Sequence, residues 1–385
     1  MRALRISVVV VLAALLSVFT LTSNNFELGL ATRAYAQAIP KSLEEGGSEY
    51  NLKMRRNNWT VGVAGGILSG TYMTFAAELA EVLDDGDNLR VLPMATYGAA
   101  SNLDDLLYLR GIDVAVTQSD VFEYFQTHRK TAGLQHRVHY IIRLPISEVH
   151  ILAKRNIRSI EDLRGKKVNF GPAGSASSLT GTIIFQRAGV KVEQTLFDNP
   201  LALQKLRSGE ISAMIRVIGK PIDFFAKIPA KDDLHLVSIP FSKAFSDYYA
   251  LSEFTKAEYP NLIAEGDTVS TLGVPAVLAV YNWPAKSDRA RRVQRLTERM
   301  FANWEKFQTP PRHPKWKEVN LAATVPGWTR WGPAEELLQA MRTAQQQAGN
   351  VRPGPATSRV DFDKLSDSER QRLYLEFQQW QQRKK

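Results

Sequence analysis

The 385-residue sequence contains no cysteine. This excludes a disulfide scaffold, a Cys-ligated zinc or iron–sulfur site, a Cys nucleophile and a lipid-modified N-terminal Cys. It does not argue against export, because a chain of this length can be stable without covalent staples. Histidine is scarce, with six residues. His136, His139 and His150 fit no strong ligand spacing, and solvated or core histidines are the plainer reading. There is no Gly-x-Ser-x-Gly elbow, no Gly-x-x-x-x-Gly-Lys-Ser/Thr loop and no His-Glu-x-x-His pair. Asp84-Asp85-Gly86-Asp87 lacks the glutamate of an EF-hand loop and reads as a helix-ending turn. No tandem repeat or heptad array occurs. The expectation is therefore a protein that catalyses nothing and needs neither metal nor cofactor.

What the chain does carry begins with an address. Arg2 and Arg5 precede an apolar run from about Ile6 to Leu21, and Ala36-Gln37-Ala38 follows as a cleavage signal. Residues 1–38 read as a signal peptide; an uncleaved N-terminal anchor is the alternative. Either way the globular part lies outside the cytoplasm. The formal charge is +10, and removing residues 1–38, with Arg2, Arg5, Arg33 and Glu27, leaves +8. The charge is scattered, which suits an acidic ligand or docking surface better than nucleic acid.

Residues 39–57 are polar and read as a leader to the mature chain. Trp59, Val61 and Val63 then alternate as a strand, and Phe75, Leu79, Val82 and Leu83 share one helix face. Leu89 to Leu92 reads as a strand stopped by Pro93, followed by a helix that Ser101 can cap. Ile112, Val114 and Val116 make a third strand. The same grammar returns with strands near 149–153, 167–170 and 211–217 and helices near 179–184 and 201–206. Strand–loop–helix repeated this closely implies a parallel, helix-covered α/β sheet. A buried strand over Thr271–Tyr281 and a helix over Asp288–Phe307 lead the chain back to the first unit. After a Pro-rich break at 310–314 come Trp316, Trp328 and Trp331. Residues 347–359 read as a linker, and Ser366 with Glu369 forms a capping box for a last helix carrying Leu373, Phe377 and Trp380.

Three loops stand at strand ends before helices: 65–71, 97–102 and 171–178. Unpaired N–H groups at helix starts, glycines that admit close backbone approach and Ser/Thr hydroxyls together favour an anion. Arg216 is a charge inside an apolar strand. It could clamp a carboxylate with its planar fork, or it could snorkel to the surface or pair with a structural acid.

Gly65-Gly66 with Gly70-Thr71-Tyr72, Tyr97-Gly98 with Ser101-Asn102, and Gly111-x-Asp113 running into Gln118-Ser119-Asp120 resemble the substrate-binding receptors of TRAP transporters of the TAXI type. Asp162-Leu163-Arg164-Gly165, Gly171-Pro172-Ala173-Gly174-Ser175 and Ile211-x-Ala213 running to Gly219-x-Pro221 continue the resemblance, which covers roughly residues 58–285. It implies a type II-like periplasmic binding fold with lobe I at 58–146 plus 247–345, lobe II at 147–246, and a linker and C-terminal helix over 346–385. It further implies a monomeric periplasmic receptor that closes on a small carboxylate-bearing solute, an amino acid or organic acid, and delivers it to TRAP membrane subunits. Gly70, Thr71, Tyr72, Ser101, Asn102, Gln118, Ser119 and Ser175 would line the cleft, and Arg216 joins them on its own chemistry. The chain departs from the pattern in the inserted Ile67 and Leu68 and in Ser212 where an acidic residue is usual. A receptor serving an ABC transporter or sensor, or a protein-interaction module using the Trp-rich tail, are the competing readings.

Overall fold

The structure, a computed structural model, describes residues 40–246 and 248–350, with backbone alone over 345–350. The signal-peptide segment and the helix expected after Ser366 lie outside the described residues. The chain divides into one compact unit ending at Ala334 and a second beginning at Glu335. The polar leader contains a helix, α1 (Ser48–Asn58), with no buried residue.

Lobe I opens with β1 (Thr60–Gly66), α2 (Thr71–Leu83), β2 (Arg90–Ala95), α3 (Ala99–Tyr108), β3 (Val114–Gln118) and α4 (Ser119–Thr127). β1 pairs in parallel with β2 and β3. β2 runs through Pro93 to Ala95 rather than stopping there. It is the edge strand of the sheet, where a missing N–H need not break a ladder. α3 begins at Ala99 after Gly98, two residues before the expected Ser101 cap.

The 17-residue β4 (Val138–Lys154) then crosses from lobe I to lobe II. There β5 (Lys167–Asn169), α5 (Ala176–Arg187), β6 (Glu193–Thr195), α6 (Asn199–Ser208) and β7 (Ala213–Ile218) rebuild the parallel pattern. β8 (Leu234–Leu236) pairs with β4, and β9 (Ala250–Thr255) pairs with the start of β10 (Thr268–Tyr281), which crosses back. The sheet order is β2-β1-β3-β10-β4-β7-β5-β6. The two long antiparallel strands β4 and β10 thus join two parallel half-sheets at their centre. At this crossing Gly273 leaves room for the Ile146 side chain, whose Cδ1 would have to shift from a Cβ placed 2.6 Å away. This is the α/β, two-lobed, type II-like architecture expected from the sequence.

α7 (Asp288–Ala302), capped by the Ser287 hydroxyl accepting from the Ala290 N–H at 3.2 Å, packs on α2 and β1. The Trp-rich stretch is core rather than surface: Trp316 is fully buried among Phe75, Trp304 and Phe307, and Trp331 is buried as well. Each such side chain contributes roughly 1.5–3 kcal/mol on burial. Just before Trp316, the Lys315 ammonium reaches the buried Glu148 carboxylate on β4 at 2.9 Å. This segment therefore braces the crossing strand. α8 (Gly332–Asn350) ends the described chain, its backbone helical into the segment read as a linker.

Candidate functional site

In an open α/β sheet, ligands bind beyond the C-terminal strand ends, where helices start. Here those ends face one another across a single cleft. Lobe I supplies Gly66 and Ile67 after β1, Gly70, Thr71 and Tyr72 at the start of α2, and Tyr97 and Gly98 before α3. Lobe II supplies Ser175 and Ser177 at the start of α5, Asn199 opening α6, and Arg216, Val217 and Ile218 of β7. The cleft encloses about 40 Å³, room for only a few waters. A larger hollow of about 380 Å³ adjoins it and shares Gly70, Thr71, Asn199, Arg216 and Ile218.

The lobes touch directly over this space. The Ser101 N–H donates to the Gly174 carbonyl at 3.3 Å. Gly98, at φ 124°, lies so close to lobe II that a Cβ would come within 3.1 Å of Ser175 Cα. Deeper in, the Thr180 hydroxyl of α5 donates to the Asp120 carboxylate of α4 at 2.7 Å, and Tyr249 donates to the same oxygen at 3.2 Å. Burial pushes the Asp120 carboxyl up to about 6 against the pull of those donors.

Four helix N-termini open at the cleft: α2, α3, α5 and α6. Ser175 caps α5 by accepting from the Ser178 N–H, and Asp198 caps α6 by accepting from the Leu201 N–H. No side chain caps α2 or α3. Their first N–H groups and dipoles add to a positive potential facing the cleft.

Arg216 sits in the middle of this wall, 4% exposed. Among the described residues, no hydrogen bond or ion pair reaches its guanidinium. Burial pulls it down to about 10, which still leaves it charged at neutral pH. Its neighbours explain the isolation. Across the ladder stands His150, whose ring burial holds down at about 3, with the Arg216 charge a lesser contribution. The His150 Nδ1 lies 2.9 Å from the Glu148 carbonyl, an acceptor only, so Nδ1 carries the proton. Its Nε2 accepts from the Tyr259 hydroxyl at 2.7 Å. A neutral ring therefore faces the cation. The nearby Glu148 carboxylate is already taken by Lys315 and by the Lys220 N–H at 2.8 Å.

The cleft brings together Gly70, Thr71, Tyr72, Ser175 and Arg216 of the residues singled out in the sequence. The structure places the others elsewhere. Asn102 is fully buried, and its amide donates to the Ala64, Gly65 and Val116 carbonyls at 3.3, 3.0 and 2.7 Å. It locks β1 and β3 behind the cleft rather than meeting a ligand. Ser101 forms the lobe contact: a Cβ on Gly174 would fall 2.4 Å from its Oγ. Gln118 is buried with its Oε1 accepting from Thr180 at 3.3 Å, and Ser119 faces a separate hollow beside Trp328. Asn199 was not anticipated. Its Oδ1 is buried without a partner among the described residues, and the signal for it was the Asp198-Asn199-Pro200 helix start.

Residues 63–327 match the NMT1-like family. The chain belongs to the NMT1-like family. No curated protein matches the sequence. Among solved structures, this NMT1-like chain is similar to a Bordetella bronchiseptica protein at 15% identity and TM-score 0.44, covering 79% of this chain and 92% of that one. It is also similar to a periplasmic transporter at 13% identity and TM-score 0.43, covering 76% and 96%. A third likeness is to an amino acid ABC transporter substrate-binding protein from Streptococcus pneumoniae, solved with L-arginine, at 13% identity and TM-score 0.37, covering 69% and 98%. Among the described residues no helix is long and apolar enough to cross a membrane, and no group of three or more acidic or His residues could hold a metal ion.

Proposed function

We propose that this NMT1-like protein is an exported, monomeric solute-binding receptor whose cleft captures a small carboxylate-bearing solute and delivers it to a TRAP-type membrane transporter. The observation that carries the reading is Arg216, a buried cation without a partner among the described residues, set among helix N-termini on the wall of a cleft. A buried charge left uncompensated in the free protein is expensive, so its persistence fits an anion that arrives from outside. The fork of the guanidinium suits a planar carboxylate, and Thr71, Ser175 and Ser177 offer hydroxyls beside it. Catalysis is not part of this reading. Opening about the β4–β10 crossing admits the solute, and closure re-forms the Ser101–Gly174 and Thr180–Asp120 contacts around it. The closed surface is then what the membrane subunits recognise.

A thermal-shift panel of organic acids and amino acids tests the capture step. A solute held at about 100 times its Kd should stabilise the protein by about 2.7 kcal/mol. A panel in which only cations or neutral solutes shift the transition would sink the proposal. Uptake by TRAP membrane subunits reconstituted with this receptor, against none with ABC subunits, tests the delivery step.

A further inference from the structure

We infer that the captured solute carries a carboxylate but no ammonium group, so that the cleft selects oxo, hydroxy or unsubstituted organic acids against amino acids. The inference rests on the reading of the cleft as an anion site.

An α-amino acid brings two charges into a binding site, and each needs a partner once water is excluded. The carboxylate has Arg216 and the helix starts. For the ammonium there is nothing comparable. No Asp or Glu lines the cleft among the described residues. The carboxylate on the adjoining hollow, Asp223, is 87% exposed and paired with Lys227 at 2.9 Å. Of the two buried acids behind the cleft, Glu148 is held by Lys315 and the Lys220 N–H. Asp120 accepts from Thr180 and Tyr249 on one oxygen; its other oxygen is buried without a partner among the described residues, but Asp120 does not line the cleft. The lining residues Val217, Ile218 and Ile67 offer no side-chain acceptor, and the buried amide oxygen of Asn199, an acceptor without a partner among the described residues, carries no charge to balance an ammonium. The helix N-termini compound the effect, because their positive ends repel a cation as they attract an anion. An ammonium drawn into this cleft would meet a positive potential with no counter-charge.

Isothermal titration of the mature full chain with matched pairs tests the idea: 4-methyl-2-oxopentanoate against leucine, 2-oxoglutarate against glutamate, and 3-phenylpropanoate against phenylalanine. Within any pair that binds, the acid without nitrogen should bind at least tenfold more tightly than its amino counterpart. Equal or tighter binding of the amino acid overturns the inference while leaving the anion site intact. If none of the six compounds binds but an amine without a carboxylate does, the anion reading fails and this inference falls with it.

Discussion

Replacing Arg216 by methionine keeps most of the apolar stem and removes the guanidinium. Two effects of opposite sign follow from the same geometry. In the free protein the charge sits 4% exposed, with burial pulling its pKa down from the ordinary guanidinium range to about 10. At roughly 1.4 kcal/mol per unit, keeping it charged costs the folded state on the order of 3 kcal/mol at neutral pH. Arg216→Met should therefore leave the free protein as stable as the parent or stabilise it by up to that amount. That corresponds to several degrees in melting temperature for a chain of this size. Binding should move the other way. Truncating one member of a buried charge pair typically loses about 2–5 kcal/mol, a weakening of roughly thirtyfold to several thousandfold. Arg216→Lys should not restore it fully, because the ammonium lacks the fork. Calorimetric titration of the acid that binds best, with melting of each free variant, reads both effects. A folded Arg216→Met protein with unchanged affinity and lowered stability would refute the reasoning, since it would make Arg216 a structural cation.

Removing the ammonium with Lys315→Met should strand Glu148 in the core and destabilise the protein by about 3–5 kcal/mol in urea unfolding, with Glu148→Gln in the same chain recovering much of the loss. Because burial lifts the Asp120 carboxyl to about 6, the folded chain keeps that proton where the unfolded chain has released it. This contribution to stability is complete below about pH 4 and lost as pH rises to about 6, a fall of roughly 3 kcal/mol that Asp120→Asn should abolish in unfolding curves across that range. Gly98→Ala places a side chain at φ 124° and 3.1 Å from Ser175 Cα. It should disfavour the closed form by about 1–3 kcal/mol and weaken binding accordingly, with small-angle scattering showing a more open protein. Asn102→Ala should lower the melting temperature through three stranded carbonyls, yet leave the affinity of the protein that remains folded near the parent value.

The parallel strands and their helices were legible because each buries one face, so period and punctuation coincide. β4 was read only over 149–153. Its middle carries Arg143, Pro145, Ser147 and Glu148 through the join of two lobes, where both faces are covered and no alternation survives. Pro93 was read as a stop because local chemistry does not reveal that β2 is an edge strand. Among the cleft residues, those on Gly-rich turns before helices could be found because the turn is itself the signal. Asn102 and Gln118 looked equally suitable as polar residues at helix and strand ends. What separates them is the partner each finds across the fold, such as the Val116 carbonyl or Thr180.

Arg216 shows where local reading stops. A lone cation in the apolar run Ile211–Ile218 is visible to anyone scanning for charge inside a strand. Whether it binds a ligand or a structural acid turns on residues far away in sequence. His150, opposite it, is neutral because Glu148's carbonyl and Tyr259 complete its hydrogen bonds. The Glu148 carboxylate, two residues from His150, would be the natural counter-charge, but Lys315 claims it from 167 positions along the chain. Lys315 is placed there by the burial of Trp316, whose indole N–H donates to Glu78 on α2 at 2.5 Å. The tail after residue 310 thus does more than cover lobe I. By occupying the Glu148 carboxylate, it leaves Arg216 without an ion-pair partner among the described residues, which is the ground of the proposed anion site.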